Sequence, residues 1–94
     1  MRIEHEPGRF VARIDGREAE LDYERRDDVL DVQHTYTPPE LRGGAIAAQL
    51  TAAVFDYAQE HGLTILPTCS YTRAYVERHP ELRALVYSSS RSVR

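Results

Sequence analysis

Pro38-Pro39-Glu40-Leu41-Arg42-Gly43-Gly44-Ala45-Ile46-Ala47 is the stretch on which the fold turns. The residues before it alternate like strands, and those after it repeat like a helix. Two prolines end a strand, two glycines turn the chain, and Ile46, Leu50, Ala53, Val54, Tyr57 and Ala58 then fall at i, i+4, i+7, i+8, i+11 and i+12. That spacing makes one apolar stripe and predicts a helix over about residues 43 to 61, with Gln49, Asp56, Gln59 and Glu60 on its wet face and Gly62 as its stop.

Upstream, Phe10, Ala12 and Ile14 alternate with Val11, Arg13 and Asp15, and Asp15-Gly16 is a tight-turn pair. Ala19, Leu21 and Tyr23 then oppose Glu18, Glu20, Asp22 and Glu24, the pattern of a sheet with one wet face. Arg25 to Asp28 reads as a polar connection. Val29 to Tyr36 reads as a further strand, with Leu30, Val32, His34 and Tyr36 on one face and Val29, Asp31, Gln33 and Thr35 on the other. A meander of three or four antiparallel strands is expected.

Downstream, Leu63 to Leu66 is a short strand stopped by Pro67, which lies parallel to the strand ending at Tyr36 if the helix serves as a crossover. Ser70 is placed to cap a second helix carrying Ala74, Tyr75 and Val76, which His79-Pro80 interrupts. Leu82 to Tyr87 fits either a helical turn or a last strand, and a frayed tail is expected over 88–94. The expected class is α/β in the broad sense, α+β in detail. No internal repeat is visible.

Length and charge bound the function. Ninety-four residues with 41% hydrophobic content build one domain with a single core. All 12 basic residues are arginine, and Cys69 is the single cysteine, so neither a disulfide scaffold nor a multi-cysteine zinc site fits. His5, His61 and His79 have no i,i+4 partner, and no metal site is expected. Residues 1–40 hold 6 Arg against 11 Asp and Glu, a balance of −5, and residues 41–94 hold 6 against 4, a balance of +2. Neither half suits a nucleic-acid surface. Without a signal h-region or a long apolar run, the chain is expected to be cytosolic and free of the membrane.

The glycine turn has two readings. Uncapped first-turn N–H groups and the positive end of the helix dipole suit a phosphate or pyrophosphate, and Gly43, Gly44 and Ala45 remove side chains that would hold it away. The glycines serve equally as plain turn residues. No Lys-Ser/Thr follows, so an NTP-hydrolysing P-loop is not expected. Cys69 lies just before a helix start, where dipole and free N–H groups favour a thiolate that accepts an acyl group. The same position suits a thiol that lines a pocket, or a small buried hydrophobe.

From His34 to Pro80 the sequence resembles the GNAT superfamily of acetyl-CoA-dependent N-acetyltransferases, in particular its smallest single-domain members. The resemblance rests on His34-Thr35-Tyr36-Thr37-Pro38, on Glu40-Leu41-Arg42-Gly43-Gly44-Ala45-Ile46-Ala47, and on Pro67-Thr68-Cys69-Ser70-Tyr71 with Tyr75 and His79-Pro80. Against the superfamily motif Gln/Arg-x-x-Gly-x-Gly/Ala, Gly43 and Ala45 take the small positions and Glu40 stands at the leading one.

The resemblance implies a mixed, mostly antiparallel sheet that splays between the strand ending near Tyr36 and the one ending near Leu66. It implies acetyl-CoA as cosubstrate, with pantetheine in the gap and the pyrophosphate on the amides of Arg42, Gly43, Gly44, Ala45, Ile46 and Ala47. The acetyl group falls near Cys69, and an amine is the acceptor. His34 becomes a base for that amine or a structural sheet histidine. Tyr75 becomes the acid for the departing CoA thiolate or a core tyrosine. Two rival functions are a non-catalytic acyl-CoA-binding module and a small interaction domain that uses the acidic first forty residues on a basic partner.

Overall fold

The computed structural model describes residues 2–43 and 45–88. Five strands form one sheet in chain order: β1 Arg2–Glu6, β2 Arg9–Ile14, β3 Arg17–Arg26, β4 Val29–Tyr36 and β5 Thr64–Pro67. The first four pair antiparallel, and β5 is parallel to β4. Helices α1, Ile46–His61, and α2, Ser70–Arg78, complete the α+β architecture.

The β2–β3 turn is the expected one: Asp15 and Gly16 both take positive φ, 51° and 79°, which suits the twist of a two-residue hairpin loop. Arg25 and Arg26 belong to β3, opposite Leu30 and Val29, so the polar connection shrinks to Asp27-Asp28. Polarity misleads there because an outer strand end needs no apolar side chain to stay in the ladder. β1, whose short charged sequence carries little strand signal, is held by a row of ion pairs to Arg13 and Arg9 on the open face of the sheet.

One irregularity reorganises β4. Asp22 pairs with His34 while the next residue, Tyr23, pairs with Val32, which leaves Gln33 as an extra residue in the strand. Such a bulge reverses which face the following side chains point to. Leu30 and Val32 face α1 as expected, but beyond the bulge it is Thr35, opposite buried Leu21, that lies on this face. His34 and Tyr36 lie on the open face opposite Asp22 and Glu20, a correction to strict alternation along Val29 to Tyr36.

The core sits between the sheet and α1: Phe10, Ala12, Ala19, Leu21, Leu30, Val32 and Ile65 meet Ile46, Leu50, Val54 and Ala58. Phe55, outside the expected stripe, is nevertheless buried, because α2 covers that side of α1 and Tyr75 stacks on it at 6.3 Å between ring centroids. Helix α1 begins at Ile46 rather than near 43, since Gly43 and Ala45 hold positive φ of 88° and 64° that no α-helix contains. It ends at Gly62, left-handed as expected, whose N–H bonds the Ala58 carbonyl. Ser70 is the first residue of α2 and Cys69 holds the cap position. The segment after α2 takes both expected forms, a 3-10 helix over Pro80–Leu85 and then a bridge from Val86 to Ile65. The expected tail over 88–94 lies outside the described residues except for Ser88.

Candidate active site

The parallel ladder between β4 and β5 closes early. It runs from Val29 opposite Thr64 to Val32 opposite Pro67 and stops, while β4 continues to Tyr36. Pro67 has no N–H to extend the pairing, and the chain turns through Thr68 into α2. The Cys69 N–H then donates to the Val32 carbonyl at 2.9 Å, which puts Cys69 at the closed end of the gap. Across that gap, the Cys69 sulfur lies 3.7 Å from the Thr35 hydroxyl.

At the start of α1 a cleft of about 420 Å³ is lined by Thr37, Leu41, Arg42, Gly43, Ala45, Ile46, Ala47, Ala48 and Tyr71, of which Thr37 and Tyr71 lie two residues beyond Thr35 and Cys69. Five of the six residues expected to hold a pyrophosphate line it, and Gly44, the sixth, lies outside the described residues. Ala45 caps α1 with no side-chain hydrogen bond, and the first turn carries no acidic residue, so its N–H groups and its dipole face the cleft uncompensated. A Cβ added to Gly43 meets nothing within 4 Å, so its φ of +88° is what favours glycine there. Arg42 adds a cation, its Nε donating to the Thr37 carbonyl at 2.9 Å. Glu40 is directed to Arg17 at 3.6 Å and does not line the cleft.

A second cleft, of about 390 Å³, lies at the other end of β4 and β5 and is lined by Asp27, Asp28 and Asp31 with Arg26, Val29, Leu66 and Tyr87. Its sign is wrong for a phosphate. The Asp31 carboxylate there is buried and already accepts from the Thr68 hydroxyl and the Gln33 amide beside Arg26.

Cys69 is half-buried and free. Partial burial pushes its pKa up, but the backbone N–H groups of Thr72 and Tyr71 and the hydroxyls of Thr35 and Thr72 outweigh burial and leave the thiol below its ordinary value. The sulfur makes no full capping hydrogen bond, so this is the pull of nearby donors rather than one short contact. His34 is on the other face of the sheet. It is exposed and lies opposite Asp22 beside Glu20, whose carboxyl is held above the usual range chiefly by a hydrogen bond to Asp22. Tyr75 is a core residue, 8% exposed, between Phe55 and Tyr71 and against His79. Burial, then Tyr71, Asp56 and Glu81, raises its pKa. The tyrosine that lines the cleft is Tyr71, one turn earlier on the same helix face.

Thr35, Tyr71 and Thr72 are therefore the site residues that sequence reasoning left without a role. Tyr71 stood inside the Pro-x-Cys-Ser-Tyr stretch, and Thr72 is legible only once Cys69 is known to be the cap. Among the described residues no cluster of His, Cys, Asp and Glu is able to hold a metal, and no helix is long and apolar enough to cross a membrane.

A family model described as GCN5-related N-acetyl-transferase matches residues 9–85 of this sequence. The chain belongs to the GCN5-related N-acetyltransferase family. Human protein NATD1 is 36% identical over 85 residues, covering 85% of this chain and 75% of that protein, and zebrafish (Danio rerio) protein NATD1 is 35% identical, covering 77% of its length. Among solved structures, that of a GCN5-like N-acetyltransferase candidate from Staphylococcus aureus superposes with a TM-score of 0.74 over 93% of this chain and 88% of its own, at 24% identity. The family's mixed, mostly antiparallel fold is thus present in this chain.

Proposed function

We propose that the protein binds acetyl-CoA and transfers its acetyl group to an amine, with the pyrophosphate at the start of α1 and the pantetheine arm in the gap between β4 and β5. The observation that supports this reading is the early end of that ladder beside the Cys69 thiol, with the uncapped start of α1 lining a cleft that reaches Tyr71, two residues beyond Cys69. The free edge of β4 beyond Val32 offers backbone groups to an amide-bearing arm, much as an open sheet edge takes an added strand. Backbone amides, Arg42 and the helix dipole together favour the diphosphate.

Two routes for the acetyl group follow from the two faces of β4. In the covalent route the Cys69 thiolate attacks the thioester carbon, a new C–S bond forms as the CoA C–S bond breaks, and the departing CoA thiolate recovers a proton equivalent to the one Cys69 gave up. The amine then displaces Cys69. In the direct route the amine attacks the thioester itself, with His34 taking its proton from the open face. Tyr71, two residues beyond Cys69, lines the cleft, whereas Tyr75 is buried in the core.

The acidic first forty residues are largely engaged within the chain, with Glu4, Glu6, Glu18 and Glu20 paired to Arg9 and Arg13, which weakens the reading as a docking surface for a basic partner. Thermal denaturation with millimolar CoA, followed by intact-protein mass spectrometry with acetyl-CoA and a panel of amines, tests the proposal. A raised Tm and an acetylated amine are expected. An unchanged Tm at millimolar CoA overturns it.

A further inference from the structure

Thr72 is fully buried, and its hydroxyl has no hydrogen-bond partner. Buried polar side chains without partners are rare enough that each one needs a physical reason. The position of this one in the helix supplies it. With Cys69 as the cap, Thr72 is the third helical residue, where a polar side chain normally reaches back to the N–H of the cap residue. Here that N–H is taken by the Val32 carbonyl at 2.9 Å. The carbonyl one turn back belongs to Thr68, outside the helix, and receives Arg73 Nη1 at 2.7 Å. The Cys69 carbonyl, three residues back, accepts the Arg73 N–H at 3.1 Å, so each ordinary local partner of the Thr72 hydroxyl already has another bond, and the Cys69 side chain stands at the end of the helix toward which a residue at this position points.

We propose that Thr72 is a positioning residue for Cys69: its hydroxyl donates to the sulfur in the thiolate form and, with Thr35 from β4, fixes the anion at the start of α2. The proposal rests on the reading of Cys69 as the acyl-accepting group and adds the device that readies it. As the side chains stand, the hydroxyl and the sulfur make no hydrogen bond; a thiolate is a far stronger acceptor than a neutral thiol and draws the hydroxyl toward it. The donors that pull the Cys69 pKa down include this hydroxyl and that of Thr35. A proton leaving Cys69 therefore converts an unsatisfied buried hydroxyl into a satisfied one.

The test is the rate of iodoacetamide alkylation against pH in the 94-residue chain, where the single cysteine makes the signal unambiguous. Thr72→Val keeps the shape and removes the donor, and its alkylation midpoint should rise by about one pH unit, a tenfold change in the ionisation constant. Thr72→Ser should restore the wild-type midpoint, which a purely steric role does not predict. Thr72→Ala replaces the valine variant if circular dichroism finds the latter unfolded. A midpoint in Thr72→Val equal to that of wild type overturns the proposal. Acetylation by acetyl-CoA is read separately by intact mass: a shifted midpoint without any acetyl adduct keeps Thr72 as donor and removes Cys69 as acyl acceptor.

Discussion

Ala45 gives the sharpest test of the phosphate site, because protein stability and CoA affinity should respond to it in opposite directions. It caps α1 with φ 64° and ψ 18°, a left-handed conformation, and no side chain satisfies the first turn. For an L-residue that conformation costs roughly 1 to 2 kcal/mol, whereas Asp tolerates it better than Ala and glycine avoids the cost altogether. A carboxylate near a helix N-terminus contributes a further 0.3 to 1 kcal/mol, roughly. Ala45→Asp should therefore raise the Tm of the free protein by several degrees, at about 4 to 8 °C per kcal/mol for a domain of this size.

The same carboxylate stands against the diphosphate. Two negative charges about 5 Å away at an effective dielectric of roughly 40 to 80 oppose binding by about 2 to 3 kcal/mol, or about 30- to 150-fold in affinity. At a CoA concentration about a hundred times the wild-type dissociation constant, ligand stabilisation should drop from roughly 2.7 to about 0.4 kcal/mol for a hundredfold loss. Ala45→Gly relieves the conformational strain without adding charge and should keep CoA binding. Differential scanning fluorimetry with and without CoA, checked by titration calorimetry, reads both effects. A full CoA-induced shift in Ala45→Asp would refute the placement of the diphosphate at α1.

His34→Gln should leave the CoA-induced Tm shift and any acetyl adduct on Cys69 unchanged, because His34 lies on the opposite face of β4; if it is the base, amine turnover falls while CoA affinity stays. His5, stacked on Phe10 at 4.1 Å, has its pKa lowered first by burial and then by His61. The unfolded chain then takes up the proton first, so stability should fall as pH drops below about 6.5, a loss that levels off once the folded form titrates and that thermal melts of His5→Gln should lack. Phe55→Ala should cost about 3 to 5 kcal/mol by urea denaturation, since Phe55 is 2% exposed and joins α1 to α2. A loss under about 1 kcal/mol would mean that α2 repacks onto α1.

What the sequence carried and what it did not differ by the kind of interaction involved. Period and punctuation carried the elements: the hairpin at Asp15-Gly16, helix α1 up to Gly62, and the stop at Pro67 follow from backbone preferences that a short window expresses. The same punctuation marked the turn that lines the cleft at the start of α1. The bulge at Gln33 left no such mark, because an extra residue in a strand is set by the pairing of β4 with β3, and the local sequence alternates through it undisturbed. Its consequence is chemical as well as geometric. By exchanging the faces of His34 and Thr35, the bulge gives Cys69 a hydroxyl neighbour and sends the imidazole to the carboxylates of Asp22 and Glu20. Thiol and imidazole therefore do not form a Cys-His pair on one face, and the means of lowering the thiol pKa passes to the donors at the start of α2. Those donors are helix geometry, which is why Thr72 acquires a role only after Cys69, and not Ser70, is found to be the cap.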